Sequence, residues 1–86
     1  MSDELEMRRR RASYRAAHRG TKEMDIMLGT YAQANLPSLA DPQLDHFEQF
    51  ITLPDPKLQG WLLQHDTTPA PAFADLVAAV RKFHGL

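Results

Sequence analysis

The chain has 86 residues, 43% hydrophobic and 24% charged, with a formal net charge of −1 at pH 7, the composition of a globular domain rather than a disordered segment. A domain this short buries only about 60–65% of its unfolded surface, which leaves little room for an enclosed active site and places function on the outside. With no Cys there is no disulfide scaffold, thiolate metal site or cysteine nucleophile, and no apolar run approaches membrane-spanning length.

Taken in chain order, Met1 to Glu6 is acidic and lacks an apolar core, so it reads as neither a secretory signal nor a transit peptide. The expected address is the bacterial cytoplasm. Seven of the ten Lys and Arg residues then fall between Arg8 and Lys22, and Glu23 and Asp25 follow at once. The first helix is expected to start near Ser2 or Asp3, fray through the arginine tract and end at Gly20. Residues 1–10 read as a flexible basic extension or frayed helix start, and 11–86 as a single helical-bundle domain. At 100° per residue, Arg8, Arg11, Arg15 and Arg19 share about a quarter of the circumference, with Met7, Tyr14 and Ala17 roughly opposite. So few bulky residues predict the least firmly docked element of the fold.

The second helix is expected from about Thr21 to Asn35, with Met24, Leu28 and Tyr31, joined by Met27 and Ala32, at three- and four-residue spacing. Gly29 in its middle reads equally as close helix packing or as simple tolerance. The third and fourth helices each open on an Asp-Pro pair, Asp41-Pro42 and Asp55-Pro56, in which the aspartate is expected to cap and the proline to occupy the first turn. Leu44, Phe47, Phe50 and Ile51 form one apolar face; Leu58, Trp61 and Leu62 form the next, which stops at His65-Asp66. The fifth helix follows Pro69-Ala70-Pro71, carries Phe73, Leu76, Val77, Val80 and Phe83, and ends at Gly85. With no alternating β-branched run, the class is all-α, a compact five-helix bundle.

Little in the chain supports catalysis. His18, His46, His65 and His84 are scattered without i, i+4 pairing, so they read as surface residues and no metal site is expected; no nucleophile elbow or phosphate-binding glycine loop occurs either. Two surfaces remain. The basic stripe from Arg8 to Lys22 could serve a nucleic-acid module, although a pI near 6.4 argues against it. It could instead dock an acidic protein surface, where complementary charge fixes register. The stretch Arg19 to Glu23 also has a local explanation, with Gly20 as a left-handed helix stop and Glu23 as a first-turn carboxylate.

The residues Tyr14-Arg15, then His18-Arg19-Gly20-Thr21-Lys22-Glu23-Met24-Asp25 and Leu28, resemble the Arg-Gly-x-x-Glu signature of the SdhE-type flavinylation factors, also called succinate dehydrogenase assembly factor 2. Leu53 to Trp61 is similar to a second landmark of that family, and Pro69-Ala70-Pro71 to a third, so the resemblance spans about residues 11–83. It implies a five-helix bundle that binds the flavoprotein subunit of succinate dehydrogenase, or of fumarate reductase, and promotes covalent attachment of FAD to that subunit. The chain would bind no cofactor of its own, would not itself be an enzyme, and would be a monomer when free. Arg19, Gly20 and Glu23 match the motif and are implied to contact the flavoprotein, with His18 and Asp25 beside them and Tyr14 and Arg15 on the preceding helix. The residue after the motif glycine is usually apolar in the family and is Thr21 here.

Overall fold

The computed structural model describes residues 2–64 and 68–86. Five α-helices run through them: α1 (Ser2–Ala17), α2 (Lys22–Asn35), α3 (Asp41–Ile51), α4 (Asp55–Leu63) and α5 (Ala74–Phe83), with 3₁₀ turns at Leu36–Ser38 and Pro71–Phe73. No strand occurs among the described residues. His65 and Asp66, expected to end the fourth helix, lie outside them.

The apolar spacing of α2 to α5 sets the core. Met24, Met27, Leu28 and Ala32 of α2 meet Leu44, Phe47 and Phe50 of α3, Leu58 and Leu62 of α4, and Val77 and Val80 of α5, all buried. Each fully buried Leu, Phe or Met contributes about 1.5–3 kcal/mol relative to leaving it in water. Trp61, expected in the core, is half-buried at its edge, its ring 6.4 Å from Phe73. Local chemistry sets two of the ends. Thr21 caps α2, its hydroxyl accepting from the Met24 N–H at 3.4 Å. After α5, the Leu86 N–H reaches the Arg81 carbonyl and the Gly85 N–H reaches that of Lys82, with Gly85 at φ +77°, the Schellman pattern that a C-terminal glycine permits.

The first helix departs from expectation. It is continuous through Arg8 to Arg11 and is docked, with Ala12 and Ala16 buried and Leu5 packed against the core. Met7 and Tyr14, expected to form its apolar face, are 58% and 65% exposed. Alanines suffice because α2 comes close: a Cβ on Gly29 would lie 2.8 Å from the Ala17 Cα and 2.9 Å from its Cβ. Gly29 is therefore a packing residue.

Three arginines then tie α1 and the corner after it to the rest of the bundle. Arg8 donates to Glu48 at 2.8 Å and to Asp41 at 2.7 Å. Those carboxylates, Glu48 foremost, hold its pKa above the ordinary arginine value. Arg9 donates to the Leu39 carbonyl at 2.6 Å, and Arg19 reaches the end of α3, the α3–α4 linker and Asp55. The two Asp-Pro aspartates are thus not the caps expected of them. Ala40 and Pro54 occupy the cap positions without side-chain bonds, while Asp41 and Asp55 accept from arginines 33 and 36 residues away. Because the Arg8 pairs are partly exposed, Arg8→Ala is expected to lower the melting temperature modestly at low salt. The difference should narrow at about 1 M salt, where surface ion pairs are screened; thermal denaturation at the two ionic strengths checks it.

Candidate functional site

Between α1 and α2 the chain turns through His18 to Thr21, and the residues singled out by the sequence gather at this corner. Their surroundings divide them into two groups. Arg19 faces inward: its guanidinium donates to the Asp55 carboxylate at 2.7 and 2.9 Å, to the Ile51 carbonyl at 2.6 Å and to the Leu53 carbonyl at 3.2 Å. Only 11% of its side-chain surface is exposed. Asp25 is the second anchor, one carboxylate oxygen accepting from the backbone N–H groups of Arg19 at 2.5 Å and Gly20 at 3.3 Å. A carboxylate in the first turn of α2 is also favoured by the helix dipole.

The remaining residues face solvent. Tyr14 and His18 stack with ring centroids 4.0 Å apart and planes 19° apart. The His18 Nδ1 lies 2.8 Å from the Tyr14 carbonyl oxygen, an acceptor only. Nδ1 therefore carries the proton, and in the neutral ring Nε2 keeps its lone pair. Gly20 is exposed at φ +111°, with nothing within 4 Å of where a Cβ would be. Arg15 and Glu23 are exposed, and neither makes a side-chain hydrogen bond or ion pair among the described residues. The corner is a rigid turn, pinned from behind by Arg19 and Asp25, that displays Tyr14, Arg15, His18, Gly20 and Glu23.

The other described histidines, His46 and His84, are dispersed. His46 is half-buried against Phe73, and His84 places Nε2 2.7 Å from the Met27 carbonyl, so His84 is a packing residue rather than the surface residue expected. Among the described residues no group of His, Asp and Glu could hold a metal ion, and no helix is long and apolar enough to cross a membrane. The nucleic-acid reading gains no support. Arg8, Arg9 and Arg19 of its stripe are engaged by acceptors of this chain, so the continuous cationic face that phosphates would need is broken.

A family profile described as Sdh5, flavinator of succinate dehydrogenase, matches residues 10–84. The chain belongs to this family. Among curated relatives, an FAD assembly factor SdhE of Acetobacter pasteurianus is 43% identical over 60 residues, which cover 70% of this chain and 55% of that protein. A mitochondrial succinate dehydrogenase assembly factor 2 of Meyerozyma guilliermondii is 36% identical over 67 residues, covering 77% of this chain and 50% of the relative. An FAD assembly factor SdhE of Coxiella burnetii is 31% identical over 64 residues, covering 74% and 78%. The chain thus spans about half the length of the first two relatives and more than three quarters of the third. No solved structure matches it significantly.

The corner residues stand out in the sequence, but what pins them does not. Asp55 carried a signal, an acidic residue standing immediately before a proline at a helix start, but that signal reads as a cap until the fold brings Arg19 to it.

Proposed function

We propose that this chain binds the flavoprotein subunit of succinate dehydrogenase and promotes the covalent attachment of FAD to it, without being an enzyme itself. The observation that carries the reading is the family match over residues 10–84, which includes the whole corner. The geometry fits a docking role. The backbone that carries the displayed set is held by Arg19 and Asp25, so little backbone freedom is lost when a partner engages it, which lowers the cost of association. Gly20 presents bare backbone at the tip, and a partner surface can approach there more closely than at any residue with a side chain.

In this reading Tyr14, Arg15, His18, Gly20 and Glu23 contact the flavoprotein, while Arg19 and Asp25 are positioning residues. FAD belongs to the partner, where the bond forms. The chain contributes a rigid surface that favours one arrangement of the flavoprotein, in which the acceptor side chain and the flavin are held in near-attack geometry. It acts as a monomer in the bacterial cytoplasm, with fumarate reductase as a second client of the same chemistry.

A graded pair of substitutions tests the contact. Gly20→Ala and Gly20→Arg pay the same backbone strain at φ +111°, about 1–3 kcal/mol, and the added side chains enter open space. Both are therefore expected to fold and to melt alike. Affinity for the apo-flavoprotein, measured by calorimetry, should fall much further for Gly20→Arg than for Gly20→Ala. Equal affinities would remove Gly20 from the interface.

A further inference from the structure

The seam between α1 and α2 is grooved on its outward side. A cavity of about 470 Å³ opens at the corner, lined there by Tyr14 and Asp25 and deeper by Ala17 and Gly29. A second, of about 250 Å³, continues along the seam to Leu36 and Pro37. The two share Arg10, Ser13 and Gln33 and so form one trough. Its origin is the close approach of Ala17 to Gly29: where small residues touch, the taller Tyr14 and Ile26 are left standing, 65% and 53% exposed.

The far part of the trough holds donors in excess. Arg9 uses one nitrogen on the Leu39 carbonyl, while its Nε is buried with no acceptor among the described residues, an arrangement that costs free energy until one is supplied. Among the described residues Arg10 meets only Glu6, at 3.9 Å, with the two side chains 81% and 61% exposed, a pair too loose and too wet to satisfy it. Ser13 and Gln33 make no side-chain hydrogen bond among the described residues. Among the described residues Glu6 is the one carboxylate lining this end.

We propose that this trough is a second docking element for the flavoprotein, receiving an apolar-faced segment that lies between Tyr14 and Ile26 and brings a carboxylate to Arg10 and Gln33. The proposal rests on the function given above and extends its surface from the corner along the seam. Charge complementarity selects the occupant. A basic segment would meet Arg9 and Arg10.

The test titrates the apo-flavoprotein with the full chain and with Arg10→Glu, Gln33→Glu and, as a control outside the trough with the same charge change as Arg10→Glu, Arg11→Glu. At low salt the two trough variants are expected to bind about tenfold more weakly and the control to change by less than about threefold. In parallel, a photo-crosslinking phenylalanine at position 33 of the otherwise unaltered chain is expected to form an adduct with the flavoprotein. It decides the matter if a charge variant also melts early. Trough variants that bind like the control, no flavoprotein adduct, or an adduct only between copies of this chain would each overturn the proposal. If the unaltered chain does not bind the flavoprotein at all, the functional reading fails and takes the trough with it. Binding that is intact but indifferent to the trough overturns the trough alone.

Discussion

Arg19→Ala is expected to destabilise the fold by about 2–4 kcal/mol, because it removes a charged donor from Asp55 and from two backbone carbonyls at once. The pair is nearly enclosed, with 11% and 26% of the two side chains exposed, so the loss exceeds that of a surface ion pair. A domain of this size has only about 4–13 kcal/mol of stability. The melting temperature should therefore fall by roughly 8–32 °C, at about 4–8 °C per kcal/mol. Arg19→Lys keeps the charge but cannot span a carboxylate and two carbonyls, and should fall between. Removing Asp55 as well should cost less than the sum of the single losses, since both substitutions break one interaction. A thermal melt of Arg19→Ala that matches the unaltered chain would show that the inward pose is not occupied in solution. The practical consequence concerns function: lost binding in an Arg19 variant reports a shifted corner as readily as a lost contact.

Gly29→Leu should be at least as damaging. Its Cβ alone would stand 2.8 Å from the Ala17 Cα, which is backbone and cannot rotate away. The two helices must part, at a cost of about 1–3 kcal/mol or more for overpacking, and Ala12 and Ala16 lose the contact that buries them. Gly29→Ala sets the same obstruction against a gain of up to about 1 kcal/mol in helix propensity, so it should destabilise mildly. Adding Ala17→Gly clears the Cβ contact but leaves the Cα, and places a new glycine at the end of α1. That double variant should not recover the original melting temperature, and full recovery would show that the backbones are not in contact.

The same two positions show what could be read in the sequence and what could not. The five helices were legible because each of α2 to α5 writes its buried face in large apolar residues at helical spacing, and Gly85 marks the last stop. The docking of α1 was not, because its buried residues are alanines, whose value lies in letting another backbone come close. Hydrophobic periodicity gives weight to Met7 and Tyr14, and these are exposed. The arginines were legible as a charge run but not as staples. Arg8, Arg9 and Arg19 find partners 30 to 40 residues away, and no local pattern encodes such a pairing. At the corner, the sequence picked out a contiguous group from Tyr14 to Asp25. Only the fold separates Arg19 and Asp25, which pin the turn, from Tyr14, Arg15, His18, Gly20 and Glu23, which it displays.

That division can be put to one direct measurement. The apo-flavoprotein subunit is incubated with FAD, with and without this chain, then denatured and separated, and the flavin fluorescence that stays with the polypeptide is recorded. Covalent fluorescence is predicted to rise with the unaltered chain and with Arg8→Ala. It should fail to rise with Glu23→Ala, whose carboxylate has no side-chain partner among the described residues and whose loss costs only about 0.3–1 kcal/mol of helix stability. Fluorescence that is equal with and without the chain would contradict the central claim that this rigid corner promotes attachment of FAD to its partner.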